Sequence, residues 1–253
     1  MKTIIKTTGF SLLFLIFSVV TFAQEKKDQI KEINGVNVTA PRFTGNETLL
    51  TLLNETQFGS FNDYLMKNFQ YPERRKDEGT EVVSFVITPK GELTDFLIIN
   101  SVSPAIDEEI VRVLKTTNGL WKPGLNNGVP VAMEKEISIV VKYADSPDEI
   151  DATTNFVNLA KHYFDRGNKQ FFVKEINKRA LKNYDKAIRY LPNDKALLVT
   201  RGMCLYELGN IDGACLDWNR IKTLDGFEGD AYLDNFCIFK GYAEMLNTLQ
   251  EKK

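Results

Sequence analysis

The chain has 253 residues, of which 43% are hydrophobic and 26% charged, and this composition excludes a disordered or collagen-like protein. Its 32 basic and 34 acidic residues give a net charge of −2, which disfavours nucleic-acid binding because polyanion binders carry a basic excess. The length fits one or two domains.

The first 23 residues have the layout of a secretory signal peptide. Lys2 and Lys6 form a basic start, and a short apolar run ends in Thr21-Phe22-Ala23. This run falls short of the roughly 20 apolar residues that a membrane-spanning helix needs, so we predict export and cleavage after Ala23. The alternative is an uncleaved inner-membrane anchor, and we expect membrane contact only in that case.

Residues 24–58 are a predicted N-terminal extension, and residues 59–144 are a predicted domain that begins with a short amphipathic helix. Phe61, Leu65 and Phe69 have helical spacing. The helix is predicted to end at Tyr71-Pro72, because the residue before a proline avoids helical backbone angles.

A hairpin and a second helix follow. Residues 81–87 and 93–100 are predicted strands around a turn at 88–91. The second helix is predicted to begin after Ser103-Pro104. Its buried face has apolar residues three and four positions apart, namely Ile106, Ile110, Val113 and Leu114.

The clearest pattern is an alternation of apolar and polar residues from Val131 to Tyr143. Lys135 interrupts its apolar side and Val140 its polar side. A long strand with one polar, solvated face is typical of an antiparallel sheet that is covered on one side. The order helix, hairpin, helix and long strand predicts a small α+β domain.

Residues 153–250 show helical periodicity only, after a predicted linker at 145–152 that is rich in Asp, Ser and Pro. The spacing of Ala180 and Tyr184 recurs in Ala214 and Trp218, about 34 residues later, which is the period of tetratricopeptide repeats. Small residues at these steps let antiparallel helices pack closely. The alternative is an unrelated helical hairpin with chance alanines.

The motifs of the first half resemble the C-terminal domain of TonB, the energy transducer of Gram-negative bacteria. The most specific part is the run Trp-Lys-Pro-Gly at 121–124, followed by Asn-Gly at 127–128 and Pro-Val at 130–131. Residues 40–45 resemble a lead-in found before that domain in Bacteroidetes-type proteins. The resemblance implies two helices on a three-stranded antiparallel sheet, followed here by an all-α domain similar to tetratricopeptide segments.

The family binds the TonB box of outer-membrane receptors by adding a strand to the edge of its sheet. The resemblance therefore implies a periplasmic, non-enzymatic protein that binds a peptide, and the expected partner is a TonB-dependent outer-membrane receptor. Few prolines and no lasting membrane helix precede the hairpin, so we expect partner binding without direct energy transduction. The alternative is an envelope scaffold that recognises partners through its helical repeat. The residues expected at the sheet edge are Val131, Met133, Lys135, Ile137, Ile139 and Val141.

Three cysteines, Cys204, Cys215 and Cys237, lie in the last fifth of the chain, and export permits a disulfide. One interpretation is three buried thiols on helices. In the repeat interpretation, Cys237 lies on a capping helix over Asp230–Leu249, antiparallel to the helix that carries Cys215. These two cysteines can then form a disulfide, which leaves Cys204 free.

No pattern predicts an enzyme, a cofactor or a metal site. The one histidine, His162, disfavours a His-rich metal site, and the chain lacks phosphate-binding, Cys-x-x-Cys and His-Glu-x-x-His motifs. The acidic run at 107–109 is explained by the positive end of a helix dipole. Trp121 and Pro123 are interpreted as packing and turn residues rather than ligand contacts.

One stretch of the helical half carries several basic residues around Phe171-Phe172. We interpret it as a solvated helix face, in preference to a site for an acidic partner or a membrane. The extra residues at this point, relative to an ordinary repeat, predict either a longer helix or an inserted loop. The basic residues are Lys161, Arg166, Lys169, Lys174, Lys178, Arg179 and Lys182.

Overall fold

The computed structural model describes residues 31–33, 36–45, 61–72, 77–142 and 152–237. The predicted signal peptide and residues 145–151 of the predicted linker lie outside these ranges. The strands are β1 (Lys31–Ile33), β2 (Val36–Thr39), β3 (Arg42–Phe43), β4 (Gly79–Ile87), β5 (Leu93–Asn100), β6 (Trp121–Lys122), β7 (Gly124–Asn126), β8 (Val129–Val131) and β9 (Met133–Val141). The α-helices are α1 (Phe61–Asn68), α2 (Pro104–Lys115), α3 (Ala152–Asn168), α4 (Asn177–Tyr190), α5 (Lys195–Glu207), α6 (Ile211–Thr223) and α7 (Asp230–Phe236), with a π-helix at Lys169–Val173.

The first half is built on a three-stranded antiparallel sheet in the order β5-β4-β9. The predicted hairpin is confirmed as β4 and β5, and its turn ends at Gly91, whose φ of 78° suits glycine. Helices α1 and α2 are confirmed as well. They cover one face of the sheet, where Leu65, Ile106 and Ile110 pack against Phe85 in one apolar core. The fold class is therefore α+β, as predicted.

The N-terminal extension contributes strands that the sequence analysis did not predict. Strands β1 and β2 join β7 and β8 in a second sheet, in the order β1-β2-β7-β8. Strand β3 pairs with β6, so that Phe43 lies opposite Trp121. The extension therefore pairs with the segment that carries the Trp-Lys-Pro-Gly run.

The prediction of one continuous strand from Val131 to Tyr143 is wrong at its start. The Asn127-Gly128 turn folds β8 back onto β7, and Val131 pairs there with Gly124. The chain changes sheet at Ala132, and only β9 joins β4. The tight turn sets the register of β8 against β7. The alternation of apolar and polar residues continues through both strands, so it did not reveal the break between them.

The second half is a series of consecutive packed helices. Ala180, Ala187 and Ala214 are fully buried, as expected for small residues at helix contacts. A Cβ atom added to Gly202 would lie well inside van der Waals contact with the indole of Trp218. These contacts give the small residues of the predicted repeat a packing role, and the tetratricopeptide assignment itself stays a prediction.

The expectation of a solvated second face on the sheet holds at Glu134 and Glu136, which are exposed, but it is wrong toward Val140, where the helical half packs against the sheet. Val82 is fully buried, and Val140 packs with Phe156 of α3. Thr80 donates a hydrogen bond from Oγ1 to the carbonyl oxygen of Tyr190, at 2.7 Å. The apolar positions on this face, including the interruption at 140, are explained by a second layer of helices.

The structure joins Cys215 and Cys237, whose Cα atoms are 5.6 Å apart, and leaves Cys204 buried and free. The predicted capping helix is confirmed over Asp230–Phe236, which is α7, but Cys237 is not part of it, because the helix ends at Phe236 and Cys237 has extended backbone angles. The C-terminal end of the predicted helix lies outside the described residues. Burial raises the pKa of the Cys204 thiol to about 11, which keeps it protonated and unreactive.

We predict that the exported protein contains this disulfide and that it stabilises the fold. Replacing Cys215 and Cys237 by alanine should lower the free energy of unfolding by about 3 kcal/mol, because the bridge closes a loop with a sequence separation of 22. Urea unfolding measures this loss, and Cys204→Ala is the matched control, with a smaller loss from packing alone. Three alkylatable thiols in the unfolded, unreduced protein would contradict the prediction.

Candidate functional site

The candidate site is the outer edge of β9. This strand pairs with β4 without interruption, from Gly79 opposite Val141 to Ile87 opposite Met133. No strand of the described ranges pairs with its other edge. A strand with one unpaired edge presents a row of amide and carbonyl groups that a further strand can bind.

Five of the six predicted edge residues lie on β9, but their side chains do not face the edge. Ile137, Ile139 and Val141 are buried in the core under α1 and α2. Met133 and Lys135 are half-buried on the same face. Their backbone amides and carbonyls bond toward β4 and not toward the open edge, and Val131, on β8, belongs to a different sheet, so the predicted set does not present the edge.

The hydrogen bonds of the β4–β5 hairpin determine which backbone groups of β9 face its open edge. The Thr88 amide donates to the Glu92 carbonyl at 2.9 Å, and the Asn100 side chain of β5 donates to the Thr80 carbonyl at 2.7 Å. Even-numbered residues of β4 thus bond toward β5, and odd-numbered ones bond toward β9, because the direction alternates along a strand. By the same alternation, the outward-facing backbone groups of β9 belong to Glu134, Glu136, Ser138 and Val140.

Lys135 is the one charged residue on the core side of β9. It lies opposite Phe85, with its Nζ 6.0 Å from the centroid of the Trp121 ring. Burial lowers the pKa of its ammonium group. An inward-pointing lysine on an edge strand discourages indiscriminate pairing between sheets, so Lys135 restricts which strands can add here.

The face of β9 that points away from the α1 and α2 core carries acidic residues, and hydrogen bonds connect it to the helical half. Glu134 accepts a hydrogen bond from the Ser84 hydroxyl. Glu136 accepts two bonds from the buried Arg220 guanidinium of α6, at 2.6 and 2.7 Å. Arg220 also donates to Asn193 at 2.8 Å. This bidentate pair fixes α6 beside the candidate edge.

The other exposed edge of the sheet, on β5, is less regular. Its pairing with β4 shifts register twice, between Val82 and Val83 and between Ser84 and Val86. Asp95, within β5, has a φ of 51°, in the left-handed region. Bulges of this kind bend a strand and blunt its edge, so β9 is the better template for an added strand.

The first half carries the Trp-Lys-Pro-Gly run on the fold that the resemblance implies, and a family model matches part of it. Residues 67–142 match the model described as Gram-negative bacterial TonB protein C-terminal. This segment is therefore similar to the TonB C-terminal domain. No curated protein matches the chain.

The TonB C-terminal domain is a non-enzymatic interaction domain of the cell envelope. The match indicates a TonB-like protein-interaction role for residues 67–142, a segment that includes β4, β5, α2 and β9. Within the described residues, no group of His, Cys, Asp and Glu side chains could hold a metal ion. No helix in those ranges has the length and apolar character that a membrane crossing requires.

Sequence reasoning missed two polar residues, one buried within the segment 67–142 and one that connects the helical half to β9. Glu81 is fully buried beneath α2, and its Oε2 accepts a hydrogen bond from the Val102 amide at 2.8 Å. Arg220 lies 84 positions after its partner Glu136. Glu81 interrupts the apolar side of its strand, which was an available signal, whereas nothing in the sequence pairs Arg220 with β9.

Proposed function

We propose that this protein is a non-enzymatic periplasmic interaction protein that binds an extended peptide by strand addition along β9. A segment of a TonB-dependent outer-membrane receptor is the partner that suits this role. Residues 1–23 would direct the export that such a partner requires. The observation that carries the proposal is the uninterrupted pairing of β9 on one side and, on the other, an edge that no strand of the described ranges occupies.

The charged residues of β9 restrict which peptide sequences can bind at its edge. Residues directly opposite each other on adjacent strands share a face of the sheet. A peptide side chain opposite Lys135 would favour an acidic group, and one opposite Glu134 would favour a basic group. The bonds from Arg220 to Glu136 hold α6 of the helical half next to the open edge of β9. The helical half would therefore also contact the peptide.

We predict that Ser138→Pro weakens peptide binding and leaves the fold intact. The Ser138 amide faces the open edge, so proline removes a donor to the peptide without breaking a bond to β4. Isothermal titration against receptor-derived peptides should show at least roughly tenfold weaker binding, equivalent to about 1.4 kcal/mol. Ser138→Ala is the matched control, because it changes the side chain and keeps the amide.

Two results would contradict the proposal. Equal affinities for Ser138→Pro and Ser138→Ala would place the peptide elsewhere and would favour recognition by the helical half. No heat of binding for any receptor-derived peptide, in a folded protein, would remove strand addition as its function. A thermal unfolding curve for each variant establishes that the fold is kept.

A further inference from the structure

The turn between α3 and α4 exposes apolar side chains at the end of a helical hairpin. After the π-helix, the Lys174 amide bonds to the Lys169 carbonyl at 3.2 Å, and Glu175 reverses the chain with a φ of 54°. Phe172 is 58% exposed, Val173 73% and Ile176 37%. We call residues 169–176 the apolar tip.

The apolar tip is held in place from beneath. The Phe171 ring lies 4.8 Å from the Phe172 ring and 6.4 Å from the Tyr184 ring, between centroids. Tyr184 is fully buried and donates to Asn168 at 3.0 Å. Exposure of Phe172 and Val173 is therefore built into a packed turn, and π-helices are often found at functional sites.

The surroundings of the tip are strongly basic although the chain as a whole is slightly acidic. Between residues 166 and 182, Glu175 is the only acidic residue. All the basic residues of this stretch are exposed. They are Arg166, Lys169, Lys174, Lys178, Arg179 and Lys182.

The tip lies far from the candidate edge. The end of α4 that contacts the sheet is Tyr190, and α4 has 14 residues, which span about 21 Å at 1.5 Å per residue. A partner at the tip would therefore not compete with a peptide on β9. The tip is a feature separate from the proposed function.

We propose that the apolar tip inserts into the interface of an anionic lipid bilayer. Side chains exposed to this degree project from the surface, which suits a bilayer interface better than it suits a peptide lying in a groove. The surrounding lysines and arginines complement anionic headgroups, each contributing on the order of a fivefold gain in binding. This proposal replaces the interpretation of the stretch as a solvated helix face, and the contact does not require a retained N-terminal anchor.

Fluorescence of a Phe172→Trp variant of the full chain tests the proposal locally. Trp121 and Trp218 are buried, so their emission is a constant background. Vesicles of phosphatidylglycerol mixed with phosphatidylcholine should shift the new indole's emission to the blue, and added salt should reverse the shift. Phe227→Trp is the matched control, since Phe227 is 78% exposed outside the tip and should not respond.

Charge reversal tests the basic surroundings. Lys169→Glu with Lys174→Glu, in the Phe172→Trp background, should weaken vesicle binding at least tenfold, whereas Lys222→Glu should leave it unchanged. Several results would overturn the proposal: no shift with anionic vesicles, an equal shift with phosphatidylcholine alone, or a shift with an acidic polyglutamate peptide in place of vesicles. Emission that is already blue-shifted before vesicles are added would show that another part of the chain covers the tip, and would overturn it too.

Discussion

Replacing Glu81 by glutamine should stabilise the protein by about 4 kcal/mol at about pH 8 and should remove most of the dependence of stability on pH in this range. Burial beneath α2 raises the pKa of Glu81 from 4.5 to about 9, against the lowering effect of the Val102 amide. The carboxylate of Asp107 raises it further. The folded protein therefore holds Glu81 in its neutral form, which glutamine imitates.

The sign of the pH effect follows from proton binding. Between the unfolded value of 4.5 and the folded value of about 9, the folded state binds one proton that the unfolded state does not. Stability therefore falls as the pH rises through this window, by about 1.4 kcal/mol for each unit of pH. Burial also raises the pKa of Asp107, so its contribution has the same sign at the acidic end of the window.

Urea unfolding of the wild type and of Glu81→Gln, from about pH 6 to about pH 8, measures the effect. The wild type should lose about 3 kcal/mol over this interval and the variant much less. Glu108→Gln, at an exposed position on α2, is the matched control and should follow the wild type. Parallel curves for all three proteins would show that Glu81 is ionised in the folded state.

Replacing Trp121 by alanine should lower the free energy of unfolding by about 4 kcal/mol, the usual loss for a large buried aromatic side chain. Its ring lies 5.2 Å from that of Phe43, 5.4 Å from Phe61 and 5.7 Å from Phe85, between centroids. Its Nε1 donates to the Thr117 hydroxyl at 2.9 Å. Trp121 therefore joins β3, α1 and the sheet.

Chemical unfolding followed by circular dichroism measures this loss. Trp121→Phe is the matched control: it keeps an aromatic ring in the core, loses the bond to Thr117, and should cost about 1–2 kcal/mol. The interpretation of Trp121 as a packing residue also predicts that Trp121→Phe binds peptide normally. Unchanged stability together with lost binding would instead make Trp121 a ligand contact.

Local signals made much of the fold predictable. The Pro104 start of α2, its four buried apolar residues and the Gly91 turn all lie within short stretches of sequence. The resemblance to the TonB C-terminal domain rests on such stretches, and the family match at 67–142 agrees with it. Such helices and hairpins can be predicted from sequence because the residues that determine them are neighbours in the chain.

What the sequence could not predict depends on contacts between distant segments. Strand β3 has only two residues, too few for a period, and it exists because Phe43 packs on Trp121. The helical layer on the second face of the sheet depends on the contact between Val140 and Phe156. The candidate edge was predictable as a long strand, but which of its groups face outward required the register with β4.

Hydrogen exchange on β9, with and without a receptor-derived peptide, tests strand addition most directly. The outward-facing amides of Glu136 and Ser138 should exchange quickly in the free protein, and those of Ile137 and Ile139, bonded to β4, should exchange slowly. Peptide should slow exchange at Glu136 and Ser138 by at least tenfold while Ile137 and Ile139 stay as they were. Protection confined to α5 and α6, with unchanged exchange at Glu136 and Ser138, would contradict binding at this edge.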